Sequence, residues 1–286
     1  MSDTVGMDID PPIMGYYGRG REQDRLFADP VGVLERLRTW DLIERVLPTG
    51  GTVLDVGGAA GVHAAWLAER GYHVELFDPV PLHVTQARQL ADSLPKGQRF
   101  NAEVADARAV PRESDCADAV LLFGPLYHLL EAADRRTALG EALRLLRPGG
   151  VLVAAAVSRF AWPFDAYRQQ IASDPAIQDS ITYSLETGRS VRTPGPDSFW
   201  AYFHRPDELE AEIRDAGFHA VSVYGVGGFA WLLPDLGDIL ADSARRGDLL
   251  ALLRRIETET GLLGVSSHLL AVARTPRTDR MKEEQP

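Results

Sequence analysis

Apolar residues along the chain switch repeatedly between the spacing of buried strands and that of helices. Five short apolar runs predict strands, at residues 52–56, 73–78, 100–104, 118–123 and 151–157. Apolar residues at helical spacing predict the helices between them, at residues 62–68, 82–94 and 138–146. Strands that alternate with helices indicate βαβ units. With two further strands at 219–226 and 268–274, the pattern predicts an α/β fold with a Rossmann-like, seven-stranded, doubly wound sheet.

Three segments depart from this alternation, and all of them fall within one predicted domain over residues 16–274. Residues 16–50 carry apolar positions at helical spacing, divided by Pro30, and predict an N-terminal helical cap. Residues 158–203 contain nine aromatic residues in 46 and predict a lid inserted after the fifth strand. Residues 227–264 predict a second helical insertion, and the polar ends at 1–15 and 275–286 predict flexible tails.

Composition and charge narrow the class of protein. The 286 residues are 45% hydrophobic and 25% charged, which is typical of a globular chain. The formal net charge of −11 provides no global positive field for nucleic acid. The single cysteine, Cys116, excludes a disulfide framework and a multi-cysteine metal site. The sequence contains no apolar run of about 20 residues, the length needed to span a membrane. We therefore expect a cytoplasmic protein that binds no nucleic acid, membrane or metal; whether it forms a homodimer stays open.

A glycine-rich loop follows the first predicted strand, with the sequence Asp55-Val-Gly-Gly-Ala-Ala-Gly61. Small residues are needed where a backbone turns sharply and approaches a ligand, and the next helix offers free N–H groups there. Asp78 ends the second predicted strand, where a carboxylate can accept both hydroxyl protons of a ribose. The spacing departs from the NAD fingerprint at Ala59 and Val62, and no Gly-Lys-Ser/Thr phosphate loop is present. The loop predicts a nucleotide-like cofactor, with a purely structural turn as the alternative.

Residues 52–157 contain several motifs that resemble, in type and in order, those of the class I S-adenosylmethionine (SAM)-dependent methyltransferases. The loop matches the family's acidic residue-x-Gly-x-Gly-x-Gly motif, with Ala59 in place of the middle glycine. The other matches are Asp78, the Asp106–Ala107 pair after strand three, the strand-four segment at 118–129, and Leu-Arg-Pro-Gly-Gly at 146–150. Residues 123–129, Phe-Gly-Pro-Leu-Tyr-His-Leu, are similar to the bacterial methyltransferase-type-11 (ubiquinone/menaquinone-methyltransferase-like) group.

The resemblance implies that SAM is the cofactor and that the loop and the strand ends bind it. The implied cofactor-binding residues are Asp55, Gly57, Gly58, Ala59, Gly61, Asp78, Pro79, Asp106, Ala107 and Phe123, with Tyr17 and Arg25 from the N-terminal cap. In the family, the acid matched by Asp78 binds the ribose, and the pair matched by Asp106–Ala107 contacts the adenine. Asp55 suits the positive charges of the cofactor, or instead complements the N-terminus of the following helix.

Residues near the same sheet edge are candidates for the chemistry and for binding the methyl acceptor. His128 is the candidate base, or else it hydrogen-bonds a loop carbonyl, and Tyr127 beside it is the second candidate catalytic residue. His63 and His73 are interpreted as structural. The lid aromatics predict a cavity for the acceptor, with a packed helical subdomain or a dimer interface as the alternative. The candidate substrate-binding residues are Tyr16, Phe160, Trp162, Tyr183, Trp200, Tyr202 and His204.

The sequence therefore predicts an enzyme that transfers a methyl group from SAM to an O, N or C atom of a small molecule, as in specialised-metabolite biosynthesis. Two alternatives stay open. One is methylation of a peptide, a protein or an RNA, of which the net charge disfavours only the RNA. The other is a non-catalytic SAM-binding protein.

Overall fold

A computed structural model describes residues 22–191 and 200–277 of the chain. Within these residues, eight strands form one sheet in the order β3-β2-β1-β4-β5-β8-β7, and the short β6 pairs with the end of β5. The strands are β1 (Thr52–Val56), β2 (His73–Asp78), β3 (Asn101–Val104), β4 (Ala117–Leu122), β5 (Leu146–Ser158), β6 (Phe203–His204), β7 (His219–Gly225) and β8 (His268–Arg274).

The direction of the strands fixes where a ligand site can form. Strands β1 to β6 are mutually parallel, whereas β8 runs antiparallel to both β5 and β7. The carboxyl ends of β1, β2, β4 and β5 therefore meet at one edge of the sheet, and β8 begins at that same edge. Ligands of open α/β sheets bind outside the carboxyl ends of the parallel strands.

Helices cover both faces of the sheet. Helices at residues 30–46, 62–69 and 81–93 pack over one buried apolar cluster, and helices at residues 132–145 and 206–215 pack over another on the opposite face. No helix in the described ranges is long and apolar enough to cross a membrane. The helices are α1 (Glu22–Ala28), α2 (Pro30–Val46), α3 (Val62–Glu69), α4 (Pro81–Ser93), α5 (Pro125–His128), α6 (Ala132–Leu145), α7 (Ala161–Arg168), α8 (Pro175–Thr187), α9 (Pro206–Asp215), α10 (Leu236–Ala241), α11 (Ser243–Ile256) and α12 (Thr260–Leu263).

Helix α2 begins at Pro30, as its local sequence requires. The Asp29 carboxylate accepts hydrogen bonds from the N–H groups of Val31 and Gly32, which caps the first turn, and Pro30 needs no partner there. Gly32 also allows α1 to fold back onto α2, since a Cβ atom at this position would lie 2.1 Å from the carbonyl oxygen of Arg25. Leu34 on α2 packs into one apolar cluster with residues of the 227–264 segment, such as Trp231 and Leu253.

The fold class predicted from the sequence is confirmed, with two differences in detail. Strand β5 begins at Leu146 and so includes the Arg-Pro-Gly-Gly segment, which the sequence places before the strand. Strand β6 is not predicted from the sequence. Strand β5 pairs with β4 only as far as Ala154, and β6 pairs with Val157 and Ser158 at the end of β5. Tyr16 and Tyr17 lie outside the described residues, as does the predicted tail at 1–15.

Candidate functional site

The glycine loop between β1 and α3 holds a conformation that few residue types adopt. Gly57 and Gly61 have φ angles of 79° and 87°, in the left-handed region. A Cβ atom at Gly57 would lie 2.5 Å from Cδ of Pro125 and 2.6 Å from the carbonyl oxygen of Phe123. Ala59, at the middle position of the motif, also has a positive φ, of 47°. The loop therefore keeps the geometry of the motif even where its glycine is replaced.

Asp78 fastens this loop to the end of β2. Its Oδ2 accepts a hydrogen bond of 2.9 Å from the N–H of Ala59, and its Oδ1 accepts one of 2.9 Å from the N–H of Val80. The Nδ1 of His83 lies 3.0 Å from the same Oδ1, and both side chains are buried. Pro79 continues the chain at this edge and is half-buried. The carboxylate thus stands beside the loop, and that it binds the ribose stays a prediction.

Asp55 is buried beneath the loop, where a Cβ atom on Gly58 would lie 2.7 Å from its carboxyl carbon. Neither of its carboxyl oxygens has a hydrogen-bond partner among the described residues. Burial, and secondly the nearby charge of Asp78, raises the pKa of Asp55 to about 7. The N–H of Ala64 faces the carboxyl outside hydrogen-bond geometry and offsets only part of this shift. A buried carboxyl group without a partner fits a positively charged ligand at the loop.

Asp106 and Ala107 follow β3, but the carboxylate of Asp106 is occupied by a neighbour. Arg108 donates to it from its backbone N–H, its Nε and its Nη2, at 2.7 to 3.0 Å, and reaches Asp134 with Nη1. Although burial opposes the shift, these bonds from Arg108 lower the pKa of Asp106. Ala107 is buried in the apolar cluster that includes Phe77. Both residues lie at the carboxyl side of β3, beside the loop end of the sheet.

A cleft of about 680 Å³, including space open to solvent, lies between the glycine loop, the N-terminal helices and the start of β8. It brings together several residues predicted to act at the site. These are Arg25, Gly57, Gly58, Ala59, Phe123 and Tyr127. The wall also contains Glu35 from α2, His63 from α3 and His268 from β8. The sequence pattern does not single out Glu35 or His268, and it assigns His63 a structural role.

Arg25 and Glu35 form a two-bonded ion pair at this wall. Nη1 of Arg25 donates to Oε2 of Glu35 at 2.7 Å, and Nη2 donates to Oε1 at 3.0 Å. Oε2 also lies 3.5 Å from Nδ1 of His268. Burial opposes ionisation, but Arg25 and then His268 outweigh it and lower the pKa of Glu35 to about 2. The Arg25 guanidinium, predicted to reach the cofactor, is thus engaged by a carboxylate.

His63 is held by an indole. Nε1 of Trp40 donates a hydrogen bond of 3.1 Å to its Nδ1, and its ring meets Phe123 edge-on at 5.1 Å between centroids. Burial lowers the pKa of His63 to about 4. Because an indole nitrogen only donates, the neutral ring carries its proton on Nε2. His73 lies on the exposed start of β2, away from the cleft wall.

The loop after β4 is joined to the lid by two hydrogen bonds. Nδ1 of His128 lies 3.3 Å from the carbonyl oxygen of Trp200 and donates to it, and the N–H of Tyr202 donates to the carbonyl of Tyr127 at 2.8 Å. Burial lowers the pKa of His128 to about 4. The cleft wall includes Tyr127 but not His128. A bond from His128 to a loop carbonyl is one of the two alternatives that the sequence leaves open for this residue.

Several of the lid aromatics that the structure describes contact other parts of the lid and its neighbours, and none of them lines the cleft at the glycine loop. Phe160 packs against Gly264, where a Cβ atom would lie 2.8 Å from its ring, and Arg205 lies 5.4 Å from the centroid. Nε1 of Trp162 donates to Oγ of Ser180 at 2.9 Å. Tyr183 is 42% exposed, because the helical period of α8 turns its neighbours inward instead. Packing between lid helices therefore accounts for part of the aromatic excess.

Tyr202 and His204 belong to a separate buried network of charges. The guanidinium of Arg135 lies 3.7 Å from the Tyr202 ring centroid and binds Glu212 through two of its nitrogens. Nε2 of His204 lies 3.2 Å from Oε2 of Glu212. Burial lowers the pKa of His204, and burial also raises that of Tyr202. These contacts fix the lid to α6 and α9.

The sequence matches the family described as a methyltransferase domain over residues 53–150. A ubiquinone/menaquinone biosynthesis C-methyltransferase of Acidiphilium cryptum is 30% identical over 189 residues, which are 62% of this chain and 70% of the relative. The tRNA 5-carboxymethoxyuridine methyltransferase of Escherichia coli is 35% identical over 133 residues, which are 44% of this chain and only 49% of the relative.

The fold comparison agrees. A SAM-dependent methyltransferase from Methanosarcina mazei has a TM-score of 0.56 at 19% identity, over 82% of this chain and 97% of that one. At this identity the likeness shows the fold alone. The match to the Acidiphilium relative covers more than two thirds of that protein, which shows the family. The chain therefore belongs to the class I SAM-dependent methyltransferases of the ubiquinone/menaquinone-methyltransferase-like group, and it is an enzyme that uses SAM as its cofactor.

Proposed function

We propose that this enzyme methylates an O, N or C atom of a small molecule. The observation that carries the proposal is the concave cleft at this sheet edge, which is walled by the glycine loop, by α1 and α2, and by the start of β8. Concave clefts of this kind are typical of sites for small molecules, which favours a compact acceptor beside the cofactor. The single cysteine of the enzyme, Cys116, is a free thiol, which suits a reducing compartment such as the cytoplasm.

The residues at the loop fit SAM. We propose that Gly57, Gly58, Ala59 and Gly61 let the backbone approach the cofactor and that Asp55 favours its positive charge. Asp78 would bind the ribose hydroxyls, with Pro79 beside it. Asp106 and Ala107, with Phe123, would contact the adenosyl part. The cofactor supplies an electrophilic methyl group on a sulfonium, so the protein has to align the acceptor and exclude water.

For the acceptor, we propose that the loop after β4 and the lid act together. Tyr127 lines the cleft, and its carbonyl holds Tyr202 of the lid. His128 holds the carbonyl of Trp200, a contact that favours a positioning role. Phe160, Trp162, Tyr183 and His204 would then act through the packing of the lid. The identity of the acceptor would be set by how the lid meets this loop.

A tRNA methyltransferase is the second candidate. The Escherichia coli relative that is 35% identical is named for methylating a tRNA nucleoside. Against this candidate, a net charge of −11 opposes binding of a phosphate backbone, and the cation in the cleft wall, Arg25, is paired with Glu35. The net charge and the pairing of Arg25 together favour the small molecule.

Turnover of labelled SAM separates the two candidates. The purified enzyme would be given a panel of phenols, quinols, amines and carboxylic acids, and in parallel total tRNA, with the demethylated product as readout. We expect turnover with members of the panel and none with tRNA. Asp78→Ala should lose this turnover at low SAM concentration, and Asp92→Ala, on an exposed helix surface, should keep it. Label found in tRNA alone would contradict the proposal.

A further inference from the structure

Glu35 and His268 meet in the cleft although they are far apart in the sequence. His268 is the first residue of β8 and pairs with Val157 at the carboxyl end of β5. Its Nδ1 lies 3.5 Å from Oε2 of Glu35 and 3.3 Å from Oγ of Ser267. Both side chains line the same cleft as the glycine loop and Tyr127. The pair therefore stands at the sheet edge where the chemistry of this fold takes place.

Arg25 fixes the orientation of the Glu35 carboxylate. Its two carboxylate oxygens each accept a hydrogen bond from Arg25, at 2.7 and 3.0 Å. Gly32 lets α1 approach α2 closely enough for this contact. The Glu35 side chain is 15% exposed and that of Arg25 is 37% exposed, so solvent screens their ion pair in part. A carboxylate held in this way orients an imidazole and stabilises its protonated form.

We propose that His268 is the general base that takes a proton from the methyl acceptor, and that Glu35 is its positioning residue. The inference rests on the proposed function, because it needs a small acceptor in this cleft. The acceptor's O–H or N–H proton passes to Nε2 of His268, while a lone pair of that oxygen or nitrogen forms the new bond to the methyl carbon. The electron pair of the broken S–C bond stays on sulfur, which becomes a neutral thioether.

The other two histidines nearby are less suited to this role. His63 accepts from Trp40 at Nδ1, so its neutral ring carries a proton on Nε2 and has no lone pair to offer there. His128 is bound to the carbonyl of Trp200 and does not line the cleft. Among residues 22–191 and 200–277, the titratable and charged groups that line the cleft around the Glu35–His268 pair are Arg25, His63 and Tyr127.

The proposal specifies the class of acceptor. A base is needed when the attacking atom carries a proton that it must lose, as in an alcohol, a phenol, an enol or an ammonium group. A tertiary amine or a thioether needs none. We therefore infer a protic acceptor, with O–H or N–H at the attacking atom.

Nuclear magnetic resonance of the full-length protein tests the pair without an acceptor. The protein would be labelled with ¹⁵N in its seven histidines, and the His268 signals assigned by their loss in His268→Gln. We expect the neutral His268 ring to carry its proton on Nδ1, facing Glu35, and Glu35→Gln to move the titration midpoint of His268 to lower pH. A proton on Nε2 in the neutral ring, or a midpoint unchanged in Glu35→Gln, would overturn the pairing.

Methylation of two phenols tests the base itself. At about pH 8, 4-nitrophenol is largely ionised and 4-methylphenol is not, so only the second needs a base. We expect His268→Gln to lose about 10²-fold in kcat with 4-methylphenol, with little change in KM, and far less with 4-nitrophenol. Glu35→Gln should show the same difference to a smaller degree. His219→Gln, on the exposed start of β7, is the matched control and should equal the wild type.

The outcomes separate the two claims. Equal losses with both phenols would assign His268 a structural role and overturn the base, and so would wild-type rates in His268→Gln. A wild-type enzyme that methylates tRNA but no phenol or amine would overturn the proposed function and, with it, the base. Calorimetric binding of the demethylated cofactor product by each variant, within a few-fold of wild type, would verify that the variants are folded.

Discussion

The carboxylate of Asp78 accepts a hydrogen bond of 2.9 Å from the backbone N–H of Ala59. This bond joins the end of β2 to the glycine loop, so one side chain both shapes the loop and stands beside it. We expect Asp78→Ala to weaken binding of SAM and of its demethylated product by about 1–3 kcal/mol, through the loss of charged hydrogen bonds. Calorimetry would measure both, with Asp92→Ala as the exposed control. Unchanged affinity would remove Asp78 from the cofactor site.

Ala59 provides a second test of the loop. A non-glycine residue in the left-handed region costs about 1–2 kcal/mol, and the φ of Ala59 is 47°. Glycine relieves this strain but loses about 0.4–1 kcal/mol through the entropy of the unfolded chain. We expect Ala59→Gly to raise the free energy of unfolding by about 0.5–1 kcal/mol and to leave SAM affinity unchanged, because the N–H to Asp78 remains. Ala60→Gly, whose φ is not positive, should instead destabilise the protein.

The local pattern of the chain was sufficient to predict the sheet and this loop. The apolar run at 52–56, the glycines behind it and Asp78 are close in sequence, and each has a local cause: burial on both faces, a left-handed φ, and a strand end. The same holds for Pro30, which starts α2 after the Asp29 cap. Such features need no knowledge of distant residues.

The pairing of Glu35 with His268 could not be predicted in this way. The two residues are brought together because β8 runs antiparallel to β5 and so begins at the ligand edge. No periodicity marks that register in advance. The position of Glu35, an acidic residue within the apolar pattern of α2, was the available signal that it could have a role at the site. Likewise, the aromatic richness of the lid did not reveal that Tyr183 faces outward or that Tyr202 packs on Arg135.

Asp55 makes the stability of the protein depend on pH. Its folded pKa is about 7, above the ordinary value of 3.8, so the folded chain holds this proton more tightly than the unfolded chain does. The stabilising contribution is complete below about pH 4 and is lost as the pH rises towards 7. We expect Asp55→Asn to gain stability relative to wild type over this window, by about 4 kcal/mol at most. Urea unfolding of both proteins from pH 4 to 8 measures the difference.

The comparison of the two proteins isolates Asp55 from other acids. Glu35 and Glu212 have pKa values lowered to about 2, so their contributions are present above about pH 4.5 and are lost towards pH 2. Because wild type and Asp55→Asn share these groups, they cancel in the difference between the two curves. Parallel curves for the two proteins between pH 4 and 8 would contradict the raised pKa of Asp55.

Arg38 anchors the helix that carries Glu35. Its side chain is 1% exposed; Nε donates to the carbonyl of Val226 at 3.1 Å, Nη1 donates to Asp41 at 2.7 Å, and Nη2 donates to Glu257. The residue thereby joins α2 to the end of β7 and to the end of α11. Removing one partner of a buried ion pair leaves the other charge without its solvation and costs about 3–5 kcal/mol.

Arg38→Ala should therefore lower the free energy of unfolding by about 3 kcal/mol, towards the lower limit because Arg45 still donates to both oxygens of Glu257. Arg45→Ala is the matched control: its side chain is 37% exposed, and its loss should cost no more than about 1 kcal/mol. Urea unfolding of the three proteins gives both values.

If α2 depends on Arg38 for its position, Arg38→Ala should also reduce turnover before the chain unfolds, since the cleft wall at Glu35 and Val226 would shift. Equal destabilisation by the two substitutions would mean that the network acts as exposed charges, and that packing around Leu34 holds α2 instead.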